Sequence, residues 1–430
     1  MSHHLAHSRM AAIGLPFILL APVMIFLYRP GSKNEIRDLG VWTTGGENLL
    51  QGIDPYLASQ GLLKSGPISP VVLRLVQNVF PDDSNLFFYF LMILNLLGGC
   101  LFLYWFTKTL NIPLHALAML STAICSGSYT REVFVNGQVT GIIFGGVALL
   151  ALILEATTRK QLRLIKASTV VGIAIFLIDI KPNLTIFLLL YILITSSIKR
   201  KLAYISATTT AYIGLFTYLS LATNSNLVMS WWKTLTLLND YSTNSTLFGS
   251  VNLWQIINVT RRSGGFDLLL TVAPILCYLG ISIFGLFLAL RNRELIGLEL
   301  IILAPFMYSY WHYYSFLPLI VVIMTSFIRK ENLILFGSTL SFSFVSFQIV
   351  DNLALIMLLG IVSSLLVYKY FGAPYLLTFV TGYLISTSAR GVFENLVTSD
   401  VLLKSISVSL LVLCWFITYA VDYRKVKSHG

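Results

Sequence analysis

The sequence predicts an all-α, polytopic membrane protein of about 12–14 spans, a single helical bundle with two long loops on its outer face. Three observations carry that expectation. Of 430 residues, 56% are hydrophobic and only 11% charged, where a soluble domain carries roughly 25% charged residues. Apolar runs of about 17–25 residues, enough to cross a hydrocarbon layer, recur from one end of the chain to the other. The basic residues sit in short clusters between those runs, so the net charge of +11 reads as cytoplasmic turns and not as a nucleic-acid surface. No polar stretch is long enough for a separate soluble domain, and residues 331–430 belong to the same membrane domain as 1–330.

The first span is expected to begin near residue 10. Arg9 precedes the apolar run Met10–Tyr28, and no small-x-small cleavage site stands before Arg29, so the run reads as a retained span. Further spans are expected near residues 85, 112, 138, 168, 182, 202, 267, 295, 314, 332, 352, 373 and 401. The pairs at 168–197 and 295–328 are short enough to be half-helices, which a membrane tolerates where they line a cavity. An even count places both termini on one side. With that side inside, the inner positions hold Arg9, Lys108, Arg159, Lys160, Arg163, Lys166, Lys199, Arg200, Lys201, Arg291, Arg293, Arg329, Lys330, Lys369, Arg424, Lys425 and Lys427. Few acids oppose them there: Glu155, Glu294, Glu299, Glu331 and Asp422. The positive-inside bias therefore puts the long loops, 29–84 and 223–266, outside. Loops of that length usually have a task, and the chemistry is expected on this face. Cys100, Cys125, Cys277 and Cys414 lie far apart within apolar runs and read as packing residues.

In the first outer loop, Leu39, Trp42, Leu49 and Leu50 suit an amphipathic helix lying at the interface, opened by Asp38. Asp38 is then either an N-cap carboxylate or a general base held just above the bilayer. Asp54-Pro55-Tyr56 reads as the turn that ends this helix. Arg131, Glu132, Asn136 and Gln138 cluster at a later outer turn and the start of the next span, where unpaired polar groups are expensive. Pro182 breaks the apolar stretch 168–195 and leaves Lys181 at the outer end of a span. There it meets an anionic phosphate, pairs with Asp179, or snorkels. Trp231 and Trp232 read as interfacial anchors. Asn244 lies in the second long loop, and His312 stands among Tyr308, Tyr310, Trp311, Tyr313 and Tyr314, where it could donate to a phosphate or departing oxyanion.

The order of these motifs resembles glycosyltransferase family 87 of the GT-C superfamily, multi-span enzymes that use polyprenyl-phosphate sugars. The resemblance covers about residues 10–330 and rests on Asp38, Gly45-Gly46, Gly52-Ile53-Asp54-Pro55-Tyr56, Asn136-Gly137-Gln138, Lys181-Pro182, Asn244-Ser245 and Tyr310-Trp311-His312. It implies a hexosyltransferase of mannosyltransferase type in a bacterial inner membrane, with both termini cytoplasmic and the site on the outer face. Asp38 would be the catalytic base and His312 a catalytic donor. Lys181 would neutralise the leaving phosphate, and Asn136, Gln138 and Asn244 would bind sugar or phosphate. Arg131 and Tyr313 complete the substrate-binding set. The implied partners are a polyprenyl-phosphate sugar donor, a lipid or glycan acceptor and membrane lipids, with neither cofactor nor metal.

The chain also departs from the pattern. Ser65-Gly66-Pro67-Ile68-Ser69-Pro70 stands where such enzymes often carry a Tyr-Pro-Pro-like element, and Trp231-Trp232 is followed by Lys233, not Asp. Both departures argue against the protein-modifying relatives. The rival readings are an O-antigen-ligase-type glycan transferase and a lipid-linked glycan transporter or flippase.

Overall fold

The computed structural model describes residues 3–27, 37–58, 65–80, 84–108, 138–156, 164–196, 201–234 and 267–307, together with scattered positions between 63 and 121 and between 321 and 420. The described residues form an all-α protein with no strand among them. The helices are α1 (His3–Leu27), α2 (Arg37–Leu50), α3 (Pro55–Ala58), α4 (Ile68–Gln77), α5 (Ser84–Thr107), α6 (Thr140–Ala156), α7 (Leu164–Ile180), α8 (Pro182–Thr195), α9 (Lys201–Ala222), α10 (Asp267–Leu290) and α11 (Glu294–Leu303). A short helix also covers 227–234, and a 3-10 turn, Ala304–Met307, continues α11. By length and composition, Leu86–Thr107 of α5 and Val272–Leu290 of α10 are the described stretches able to cross a membrane.

The chain divides into two compact units. The first gathers Met1–Leu20, Thr107–Arg131 and Thr246–Gly430. In it, Arg9 is buried and donates to the carbonyls of Thr107 at 2.9 Å and Ile112 at 3.4 Å. A guanidinium at the last carbonyls of a helix is favoured by their partial negative charge. Helices α10 and α11 form a hairpin turned by Asn292, whose φ of 61° is one that Asn tolerates. A Cβ at Gly285 would lie 2.8 Å from the Gly297 carbonyl oxygen, so only small residues let these backbones meet. Glu299 is fully buried in α11 and accepts from Trp415 Nε1 at 3.4 Å and Tyr419 Oη at 3.1 Å. From the sequence, Glu299 is expected among the acids of an inner turn. It lies instead more than a turn inside the helix, paired with aromatic donors from the C-terminal segment.

The second unit, Ala21–Phe106 with Glu132–Ser245, holds α2 through α9. Helices α5 and α6 run parallel: a Cβ at Gly98 would overlap the backbone of Gly141, and one at Gly145 would overlap Gly98. Asn95 of α5 locks the register. Its Oδ1 accepts from the amides of Gly141 at 3.0 Å and Ile142 at 3.3 Å, so one helix caps the start of its neighbour. Helix α7 returns antiparallel to α6 after the short connection 157–163, with a Cβ at Gly146 2.9 Å from Leu177 Cδ2. Pro182 opens α8 at N1, where its missing N–H costs nothing. Thr185 secures the break by donating to the carbonyls of Leu177 and Lys181, both at 2.9 Å.

Candidate functional site

Unequal helix lengths create a recess in the second unit. Asn95 marks the start of α6 against α5, yet α5 begins eleven residues earlier at Ser84. Tyr212 of α9 reaches Asp179 at the end of α7, yet α9 continues to Ala222. Both long helices therefore overreach the ends of α6 and α7 by roughly 15 Å at 1.5 Å per residue. Gln138, two residues before α6, and Lys181, the residue after α7, stand at these shortened ends.

Helices α2, α3 and α4 form a cap that fills it. Helix α2 turns its Leu39, Thr43, Gly46 and Leu49 inward, and Thr43 satisfies its hydroxyl on the Leu39 carbonyl at 3.0 Å. Leu50 was expected on this apolar face but is 51% exposed. Gly46 takes the contact because α4 approaches too closely for a side chain, and Gly45 beside it faces Leu63. A Cβ at Gly46 would overlap the Pro70 carbonyl. Glu47 and Arg74 bridge the two helices at 3.2 Å. Gly52, at φ 76°, ends α2, with the Ile53 amide returning to the Asn48 carbonyl at 2.8 Å. Asp54 then caps α3: its Oδ1 accepts from the amides of Tyr56 at 2.9 Å and Leu57 at 3.4 Å. The Gly-Ile-Asp-Pro-Tyr element is thus a helix stop followed by a helix start.

Apolar burial seats the cap on α9. Leu49, Tyr56, Leu63, Phe216 and Leu227 form one buried cluster, with Trp42, Tyr212 and Trp231 packed around it. Each fully buried leucine of this kind contributes about 1.5–3 kcal/mol. Trp231 is therefore a packing residue, against Phe216 with ring centroids 6.4 Å apart, whereas Trp232 is 63% exposed, as an anchor would be. At the other edge, Phe80 packs on Phe90 of α5 at 5.3 Å.

Polar contacts fix where the cap sits. The Asp179 carbonyl accepts from Gly66 N–H at 2.7 Å. Its carboxylate accepts from Ser69 N–H at 2.6 Å and from the Tyr212 hydroxyl at 3.2 Å. Tyr56, whose hydroxyl donates to the Ser65 carbonyl at 2.9 Å, has its phenol pKa raised well above the ordinary value by burial, with the Asp179 charge adding to it. Among the described partners of Asp179, then, are the cap and α9, a role the sequence did not announce.

Two of the expected site residues have described side chains. Gln138 is 3% exposed. Lys181 is half-buried at the break between α7 and α8, and its carbonyl accepts from Leu184, Thr185 and the Thr185 hydroxyl. Asp38 falls in the first turn of α2, which starts one residue earlier than expected; its side chain lies outside the described part, as do Arg131, Asn136, Asn244, His312 and Tyr313. Two functional supports escaped sequence reasoning, Asn95 and Asp179. Each carried one signal, a polar side chain inside an apolar run, which is costly unless partnered.

No protein-family model, curated protein or solved structure matches the chain.

Proposed function

We infer that this chain is a polytopic membrane glycosyltransferase of the GT-C type, transferring a hexose from a polyprenyl-phosphate donor to an acceptor hydroxyl on the outer face of a bacterial inner membrane. The observation that carries the reading is the seating of the cap. The helix whose first turn contains Asp38 belongs to a cap docked over the end of α7, where Lys181 follows Asp179 by two residues. Supporting this reading, the helix that carries Asp38 and the α7–α8 break that carries Lys181 belong to elements joined by the Asp179–Ser69 bond, a contact independent of the loop charges. The parallel run of α5 and α6 and the antiparallel return of α7 also suit an up-and-down threading.

In this reading Asp38 accepts the proton of the acceptor hydroxyl as its oxygen attacks the anomeric carbon. The bond from that carbon to the phosphate oxygen breaks on the opposite face, so configuration inverts and polyprenyl phosphate leaves. Lys181 neutralises the charge that gathers on the phosphate, with His312 as a second donor. Arg131, Asn136, Gln138, Asn244 and Tyr313 hold sugar or phosphate. The donor's prenyl tail requires a membrane enzyme, and a monophosphate leaving group can be served by side chains alone.

Transfer of radiolabelled sugar from a synthetic polyprenyl-phosphate donor, in membranes containing the protein, tests this. Transfer should survive EDTA and be lost in a normally folded Asp38→Asn. Equal transfer by that variant would remove Asp38 from the chemistry. Absence of transfer from every donor sugar would shift the weight to the ligase and transporter readings.

A further inference from the structure

Asp179 is fully buried, and a buried carboxylate is costly unless its lone pairs are filled. Here they are filled in a directed way. Its shortest bond, 2.6 Å from Ser69 N–H, serves the second residue of α4 across 110 positions of sequence. A charged oxygen at a helix N-terminus gains from the helix dipole as well as from the bond itself. Tyr212 holds the other carboxylate oxygen from the α9 side. Gly66 donates to the main-chain carbonyl of the same residue, and a Cβ at Gly66 would overlap the carboxylate. Apolar packing alone would leave the cap free to slide on α9; the bonds from Ser69 and Gly66 fix its height and rotation at the end of α7, and Tyr212 orients the carboxylate that receives Ser69. Movement of α4 is passed to α2, because Gly46 brings the two backbones into direct contact.

We propose that Asp179 is a positioning residue of the transfer reaction, pinning α4 and through it the helix that carries Asp38 over the end of α7. This rests on the glycosyltransferase reading for the reaction it serves. The pinning itself stands on geometry alone.

The test uses the full-length protein in lipid nanodiscs, with Asp179→Asn, Asp179→Ala and Tyr212→Phe. Hydrogen exchange followed by mass spectrometry reads the segment 63–70 against α6 (140–156) as an internal reference. Asp179→Ala is expected to speed exchange of 63–70 by about tenfold or more, the effect of losing bonds to a charged group. Exchange of α6 should be unchanged. Asp179→Asn, which keeps one acceptor oxygen, should fall between. With the polyprenyl-phosphate donor, kcat should drop in the same order, by about tenfold to a hundredfold in the alanine variant, since misplacement of about 1 Å has that effect. Donor KM should stay at the wild-type value. Unchanged exchange at 63–70 would overturn the proposal, and so would loosened exchange with unchanged kcat. If Asp179→Ala also unprotects α6, Tyr212→Phe decides: it must loosen 63–70 alone, and failure to do so overturns the proposal. A wild type inactive with all donors would instead count against the glycosyltransferase reading, while the exchange arm still decides whether Asp179 holds the cap.

Discussion

Three glycines of α2 give a graded test of how closely it meets α4. A Cβ at Gly40 meets nothing within 4 Å. One at Gly45 would lie 3.0 Å from Leu63 Cδ2, the tip of a side chain that can swing away. One at Gly46 would overlap the Pro70 carbonyl oxygen and come within 2.8 Å of Arg74 Cβ, where the obstacle is backbone. Each Gly→Ala change shares one favourable term, up to about 1 kcal/mol of helix propensity. At Gly40 that term stands alone, so opening of α2 should slow by up to about fivefold at 1.4 kcal/mol per tenfold. At Gly45 the shift of Leu63 offsets it, and the net change should be close to zero. At Gly46 overpacking costs about 1–3 kcal/mol. The backbone overlap puts the site at the upper end of that range. The net result is a loss of about 1–2 kcal/mol, and opening should be roughly five to thirty times faster. Hydrogen exchange of residues 39–50 in the full-length protein reads all three variants on the same amides. Protection of α2 in Gly46→Ala equal to that in Gly40→Ala would refute the close approach, and with it the coupling of α2 to α4.

Two further variants probe single bonds. Asn95→Leu keeps the branched side-chain shape but orphans the Gly141 and Ile142 amides, and should destabilise the protein by about 1–3 kcal/mol in a detergent unfolding titration. Asn95→Asp, which keeps the acceptor, should be milder; a fully stable Leu variant would remove Asn95 as the cap of α6. Tyr56 bears on pH. Because burial raises its phenol pKa, the folded chain holds that proton more tightly than the unfolded chain. Its contribution is therefore constant below the usual tyrosine value and is lost as pH rises past about 10. Tyr56→Phe should weaken the fold by about 1 kcal/mol at neutral pH through the lost bond to Ser65. It should also flatten the alkaline fall in thermal midpoint. An unchanged alkaline slope would show that Tyr56 is not the group being titrated.

Element positions were legible because Pro, Gly and charged turns punctuate the apolar runs. The helices beginning at Ser84, Thr140, Leu164, Pro182, Lys201, Asp267 and Glu294 lie within four residues of the expected starts. Helix α1 begins earlier, at His3, since nothing in His3-His4-Leu5-Ala6-His7 interrupts it and Arg9 is drawn into a polar contact instead of marking a boundary. Side-chain partners were much less legible. Periodicity assigned Leu50 to the buried face, and only the approach of α4 shows that Gly46 has that place. Asp179 was visible next to Lys181, and its proximity in sequence suggested an ion pair. Its bond to Ser69 joins residues 110 apart, and no local pattern encodes that.

The recess owes its depth to two local choices, and this links fold to proposed function. Asn95 sets where α6 starts along α5, and Lys181-Pro182 sets where α7 stops beside a longer α9. Neither choice is needed to bury apolar surface, since α6 could begin a turn earlier and α7 could continue if Pro182 were absent. The shortened ends instead leave carbonyls and amides that need partners away from bulk water, and Asn95, Thr185 and the cap supply them. The cap can approach Asp179 only where its own residue is small, which accounts for Gly66, while Gly46 lets α2 and α4 close together within the cap. The glycines that carry the family resemblance thus have a packing reason here. In the proposed reaction, chemistry beneath the cap would be shielded from water, the condition under which Lys181 would stabilise a leaving phosphate most.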